Sequence, residues 1–174
     1  MIVKEKACCF TGHRRLSSSP DLADALKKTI LAKINEGYFD FLSGMALGFD
    51  SLAAQTILNL KKEFPLIRLF CIIPCADQDK DFSAAQKETY RSILQQADEI
   101  IILQETYSRG CMHVRNRYLV DHSACVIAYL TRKNGGTAYT VSYANKQEKN
   151  IFNVASLIDR RNHKCLGAPN VKRK

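Results

Sequence analysis

At 174 residues the chain can bury one full core but hardly two, and a composition of 46% hydrophobic and 25% charged residues excludes a disordered or fibrous polymer. No apolar run approaches the roughly 20 residues that cross a bilayer, and residues 1–6 lack the apolar core of a signal peptide, so a cytoplasmic protein with no membrane partner is expected. The net charge of +9 owes much to Arg160, Arg161, Lys164, Lys172, Arg173 and Lys174, which implies a basic tail over 159–174 behind one domain over 1–158, and leaves nucleic acid a minor expectation.

The first element is a short apolar strand over 7–11, ending at Gly12. Helix-start chemistry follows: Ser19 or Asp21 can accept from free amides, and Pro20 suits a first turn. Leu22, Leu26, Ile30 and Ile34 share one stripe, and Gly37 suits a left-handed helix end. A second strand over 39–43 breaks at Gly44 and Gly48, after which Asp50 is placed to cap a helix bearing Leu52, Ala53, Ile57 and Leu60. Residues 66–73 read as a strand covered on both faces, closed by Pro74. A polar loop with Asp77, Asp79 and Asp81 leads to a helix over 82–97, on which Glu88, Tyr90 and Arg91 look like a solvated face. A strand over 99–103, a loop over 106–112, a short helix over 113–122 and a strand over 124–130 come next. Asn134-Gly135-Gly136-Thr137 then opens a helix reaching Lys146, before a last strand over 151–155.

Strands alternating with helix-length segments predict an α/β fold: a three-layer, open, mostly parallel sheet with helices on both faces. The seven cysteines, an odd number lying mainly in apolar runs, are expected reduced, and neither a C-x2-C pair nor a His pair at zinc spacing is present, so no metal is expected.

In such sheets ligands collect outside the C-terminal ends of the strands. Thr11-Gly12-His13-Arg14, the segment from Ser43 through Gly44 and Gly48 to Asp50, and Asn134-Gly135-Gly136-Thr137 all fall on that rim. Their glycines and helix starts suit a phosphate, with Arg14 or Arg15 adding charge. Neither the P-loop spacing nor a full G-x-G-x-x-G fingerprint occurs, which argues against an ATPase or a standard dehydrogenase.

The blocks CCFTGHRR, SGMALGFDSLAAQ, RNRYLVDHSACVIAY and GGTAYTVSYA, in that order over residues 6–153, resemble the YpsA-like branch of the SLOG superfamily, the Rossmann-like group that includes the DNA-processing protein A domain and the LOG cytokinin-activating enzymes. The resemblance implies a Rossmann-like domain that binds a nucleotide or nucleotide-derived ligand, of ADP-ribose or NAD type, through Thr11, Gly12, Ser43, Gly44, Gly48, Gly135, Gly136 and Thr137. It also implies nucleotide sensing or nucleotide hydrolysis as the outcome. LOG enzymes carry a P-G-G-x-G-T-x-x-E block whose glutamate assists N-glycosidic cleavage, and the stretch 134–140 here has no carboxylate, no proline and one glycine fewer.

His113, Arg115, Asn116, Arg117 and Asp121 crowd the short helix after strand four. Arg115 or Arg117 could clamp a phosphate and Asn116 read a base or ribose; alternatively Arg117 and Asp121, at i and i+4, form a surface ion pair. Glu105 at the end of strand four is the best-placed general base or nucleophile, with His13 as acid, or else a simple loop carboxylate. The favoured expectation is a sensor or regulatory module that binds a small nucleotide-derived ligand, with a protein partner, as a homo-oligomer. The alternatives are an N-glycosidic hydrolase or transferase, LOG-like or nucleoside deoxyribosyltransferase-like, and a DNA-binding module.

Overall fold

A computed structural model describes residues 1–16 and 20–158. The basic tail over 159–174 and the Ser19 helix cap therefore lie outside the described residues. Twelve elements follow one another: a 3-10 turn at Lys4–Lys6, β1 (Ala7–Gly12), α1 (Pro20–Asn35), β2 (Asp40–Ser43), α2 (Phe49–Leu60), β3 (Arg68–Ile73), α3 (Ala84–Gln96), β4 (Glu99–Ile102), α4 (Cys111–Asp121), β5 (Cys125–Tyr129), α5 (Gly136–Lys146) and β6 (Asn150–Asn153).

The strands form one six-stranded sheet in the order β4-β3-β2-β1-β5-β6, and every pairing is parallel. The chain winds outward from β1 to the β4 edge, then returns to lay β5 on the other side of β1, so strand order reverses between β1 and β5. Side-chain alternation sorts the core into two layers. Cys8, Phe10, Phe41, Leu69, Cys71 and Ile127 pack against α1, α2 and α3, whereas Cys9, Leu42, Phe70, Ile72 and Val126 pack against α4 and α5. The architecture is a three-layer α/β sandwich, and no helix among the described residues is long and apolar enough to cross a membrane.

Several local expectations are corrected. β3 begins at Arg68 because Leu66 stands 84% exposed in the preceding turn. α3 begins at Ala84 because Ser83 forms a capping box with Gln86, accepting from its amide while the Gln86 side chain accepts from the Ser83 amide. Tyr90 is buried rather than solvated, its ring edge-on to Phe82 at 5.6 Å, while Glu88 and Arg91 are exposed as expected. α4 starts two residues early because Gly110, at φ +92°, takes the left-handed N-cap position. Gly37, at φ +87°, does close the turn after α1.

Candidate ligand site on the strand-end rim

The turns after β1 and β2 are fused by a buried ion pair. Arg115 reaches across from α4, its Nη1 3.5 Å from Asp50 Oδ2, and both side chains are nearly inaccessible. The same guanidinium donates to the Gly44 carbonyl, and its Nε donates to Asn116 Oδ1 at 2.8 Å. Asp50 in turn accepts from the backbone amides of Ala46 and Gly12. Burial pushes the Asp50 carboxyl up to about 6, against the lowering pull of Arg115 and of those two amides. Burial likewise lowers the Arg115 guanidinium from its ordinary value.

This arrangement corrects two expectations. Asp50 is not a helix cap: α2 starts at Phe49, Gly48 is its N-cap, and no side chain caps it. Arg115 is held inside the protein, so its charge is neutralised by Asp50 rather than offered at the surface. The glycines of these turns serve packing. A Cβ on Gly12 would overlap the Phe49 ring, one on Gly44 would overlap the Arg115 guanidinium, and one on Gly48, at φ +84°, would run into the His13 and Arg14 carbonyls. Ser43 Oγ donates to the Asp50 carbonyl at 3.0 Å and accepts from the Met45 amide at 3.2 Å, while Thr11 is buried in β1 opposite Ala128. Phe49 N–H donates to the His13 carbonyl at 3.2 Å, which completes a rigid block.

His13 ties that block to the loop after β5. Its Nε2 accepts from the Thr131 amide at 3.0 Å, and its ring meets Tyr129 edge-on. Burial, then the Arg132 charge, lowers the imidazole below its ordinary 6.5, so at neutral pH it is an uncharged acceptor. Arg14 and Arg15 are exposed at the mouth of the block.

The third turn is open. Nothing lies within 4 Å of a Cβ built on Gly135, and only Asn116 Nδ2, at 3.9 Å, approaches one on Gly136. Gly135, at φ +90°, is the N-cap of α5 without a side-chain cap, as Gly110 is for α4. Two uncapped helix starts therefore face the same rim, and His113 on α4 stands edge-on to Tyr139 on α5 at 4.3 Å between ring centres. Arg117 is exposed and donates to Tyr139 Oη at 3.4 Å, while Asp121 accepts from Tyr143 Oη at 2.9 Å, so each of the two takes a partner on α5 in place of the other. Thr137 is buried in the first turn of α5, and Thr140 Oγ1 donates to the Gly136 carbonyl at 2.8 Å.

Glu105 is exposed in the loop after β4. Three inter-strand spacings, roughly 14 Å, separate the ends of β4 and β1, so Glu105 and His13 do not meet as a base and acid pair. The loops after β2, β3 and β4 instead enclose a cavity of about 350 Å³, lined by Arg14, Leu47, Asp77, Gln78, Phe82, Tyr107 and Met112 among others. The sequence does not mark this cavity, because Asp77 reads there as one of three loop acids; the available signal is that the loop also follows a parallel strand's C-terminal end. Among the described residues no three His, Cys, Asp or Glu side chains converge as a metal site, and the six described cysteines are free and buried.

The family model described as the YspA SLOG family matches residues 17–161. The SPbeta prophage-derived protein YoqJ of Bacillus subtilis, itself uncharacterised, is 35% identical over 138 residues, covering 70% of this chain and 81% of that protein. A UPF0398 protein of Halalkalibacterium halodurans is 30% identical over 128 residues, covering 72% of this chain and 68% of its own. Among solved structures, DNA processing protein A of Streptococcus pneumoniae superposes with a TM-score of 0.65 at 19% identity over 86% of this chain, which spans only 50% of that one. The Helicobacter pylori DNA processing protein A, described for its single-stranded DNA binding mode, gives 0.64 at 18% identity over 91% of this chain and 74% of its own. These two likenesses establish the Rossmann-like fold, and the sequence matches establish the kinship: the chain belongs to the YspA SLOG family.

Proposed function

We propose that the rim binds a nucleotide-derived ligand, of ADP-ribose or NAD type, as a sensor or regulatory module. Its phosphate is held by the open amides at the start of α5, with Asn116 and Arg117 beside them. The observation that carries this reading is the contrast among the three turns: Gly12, Gly44 and Gly48 are filled by neighbouring protein, whereas Gly135 and Gly136 face open space. A second uncapped helix start at α4 adds its dipole at the same rim, which suits an anion with more than one phosphate. Binding is favoured over turnover because Glu105 and His13 stand apart and the His13 Nε2 lone pair is already engaged.

Calorimetry of the full chain with ADP-ribose, NAD and mononucleotides, paired with mass spectrometry of the products, tests this. Saturable binding without cleavage, weakened at least tenfold by Gly136→Val, is the expected result. Binding untouched by that change would remove the site, and cleavage abolished by Glu105→Gln would replace the sensor with an enzyme.

One observation favours a second reading, DNA binding. Arg14, Arg15, Arg132 and Lys133 are exposed on the adjoining loops after β1 and β5, and a structural neighbour is described for binding single-stranded DNA. Salt-sensitive DNA affinity that survives deletion of the residues after Leu157 is its signature; affinity lost with the tail would end it.

A further inference from the structure

Among the described residues Asn116 is the side chain that approaches the open turn at the start of α5, its Nδ2 3.9 Å from a Cβ built on Gly136. The residue is only 9% exposed, and its carboxamide is held on one side alone. Oδ1 accepts from Arg115 Nε at 2.8 Å, whereas Nδ2 has no hydrogen-bond partner among the described residues. Nor is that nitrogen sealed in the core, where the unpaired side-chain atoms are Asp77 Oδ1 and Gln78 Oε1. A nearly buried side chain thus keeps one accessible donor, and the donor is aimed at an open helix start. Buried polar side chains are nearly always paired, so this arrangement points to an acceptor carried by a ligand.

The direction of that amide is set by the protein. A carboxamide has almost the same shape either way round and can present its oxygen or its NH2 group. Arg115 Nε is a donor with no lone pair to offer, so Oδ1 must face it and Nδ2 must face Gly136. The guanidinium is fixed in turn, its Nη1 donating to the Gly44 carbonyl and standing 3.5 Å from Asp50 Oδ2. A Cβ on Gly44 would overlap it, so that glycine is what admits it. A lysine at 115 has one nitrogen in place of three, and can face Asp50 only by releasing the Asn116 oxygen. Asp50, Arg115 and Asn116 therefore form a relay from the turn after β2, past β1, to the turn after β5.

We infer that Arg115 is a positioning residue for the ligand's phosphate: buried and neutralised by Asp50, it never touches the ligand but locks the Asn116 carboxamide so that Nδ2 donates to a phosphate oxygen beside the α5 amides. The inference rests on the reading of the α5 start as a phosphate site. It makes Asn116 a phosphate contact in place of a reader of base or ribose, and it gives the buried ion pair a part in binding. An ionised phosphate oxygen only accepts, so a carboxamide turned oxygen-outward would repel it. Locking the amide before the ligand arrives removes both that wrong state and the entropy of ordering the side chain on binding.

Calorimetry of the full chain with ADP-ribose, and with inorganic pyrophosphate as a probe of the phosphate contacts alone, tests this. Asn116→Ala is expected to weaken both about tenfold, the worth of one hydrogen bond to a charged group. Arg115→Lys, which keeps a charge opposite Asp50 but has no Nε, is expected to weaken both by a similar factor. The double variant Arg115→Lys/Asn116→Ala is expected to match Asn116→Ala alone, since Arg115 then has nothing left to orient. Losses that multiply to about a hundredfold overturn the inference, because Arg115 would then act on the ligand directly. Nitrogen relaxation of the Asn116 side-chain amide without ligand gives a readout that stability does not move: an ordered amide in the parent and a mobile one in Arg115→Lys are expected, and equal order in both overturns the inference. Should Arg115→Lys fail to fold, Asn116→Asp keeps an acceptor for Nε and presents a second one to the turn. Binding weaker than in Asn116→Ala is then expected, and parental affinity overturns the inference. If Gly136→Val abolishes binding of both probes and Asn116→Ala leaves it unchanged, the phosphate turn stands and the positioning role falls. If neither probe binds, or neither responds to Gly136→Val, both readings fall.

Discussion

Asp50→Asn is the most informative single perturbation, because Asp50 joins three segments through one carboxyl: Arg115 on α4, and the amides of Gly12 and Ala46. At 3.5 Å and an effective dielectric near 20, the attraction between Asp50 and Arg115 is roughly 5 kcal/mol, and most of it offsets the desolvation of two buried ions. Removing one partner strands the other charge, at a cost of up to about 3–5 kcal/mol, but burial already favours the neutral Asp50 carboxyl by roughly 3 kcal/mol at pH 7, so the net loss expected for the neutral Asn side chain is about 1–2 kcal/mol. Urea denaturation followed by circular dichroism measures it, the chain having no Trp. Arg115→Met, which leaves the buried carboxyl without its counter-charge, should lose more, about 3–5 kcal/mol, and the double variant less than the two losses together. The pH dependence gives an independent check. Burial raises Asp50 from 3.8 to about 6, so between those values the folded state binds more protons than the unfolded. Stability from this group therefore falls as pH rises from about 4 to about 6, by roughly 3 kcal/mol in all. The Asn variant should lack that slope. A loss under 1 kcal/mol together with an unchanged pH profile would refute the buried pair as the joint between the turns.

Three further outcomes follow from the same geometry. Gly48→Ala places a Cβ at φ +84° against the His13 and Arg14 carbonyls, so a loss above about 2 kcal/mol is expected in the same urea assay, and a neutral result would contradict the packing. His13 should titrate below 6.5 by NMR; since its folded value is depressed, the stability it contributes is complete above pH 6.5 and is lost as pH falls through the folded value. A midpoint above 6.5 would exclude the Thr131 N–H to Nε2 bond. Arg117→Ala, at an exposed site, should leave stability within about 0.5 kcal/mol of the parent yet weaken ADP-ribose several-fold, with the difference shrinking at high salt; an unchanged affinity would separate Arg117 from the ligand.

The alternation of strands and helices was legible because a doubly covered parallel sheet needs apolar runs such as the one around Phe70 and Ile72, and amphipathic helices between them. The point at which strand order reverses was not legible, since neither side of β1 is marked in the sequence as the neighbour of β5. Glycine positions were also legible, but their roles were not. Gly12, Gly44, Gly48, Gly135 and Gly136 look alike as letters, and what separates them is the occupant of the space beyond each Cα. That occupant is Phe49 for Gly12 and Arg115 for Gly44, the latter 71 positions away in the chain. Asp50 misread as a cap for the same reason: a carboxylate near a helix start has a local partner by default, and its true partner comes from α4.

The division of the glycines has a consequence for how a ligand could act on this protein. Where Phe49 and Arg115 already fill the space over Gly12 and Gly44, the turns after β1 and β2 cannot close on a phosphate without ejecting buried side chains, one of them charged. Differential contacts between free and bound states must then come from the loops after β3, β4 and β5, which carry Tyr107 and the open glycines. Those loops meet the rigid block at identifiable joints: Gln78 on the Gly44 and Met45 carbonyls, and Thr131 on His13. Gln78 donates to the two carbonyls beside Arg115, so a shift of the loop after β3 is carried to the turn after β2 and to the buried Asp50–Arg115 pair. On the sensor reading proposed above, the change offered to a partner is a shift of α4 against the turn after β2, and not a rearrangement of the glycine turn after β1.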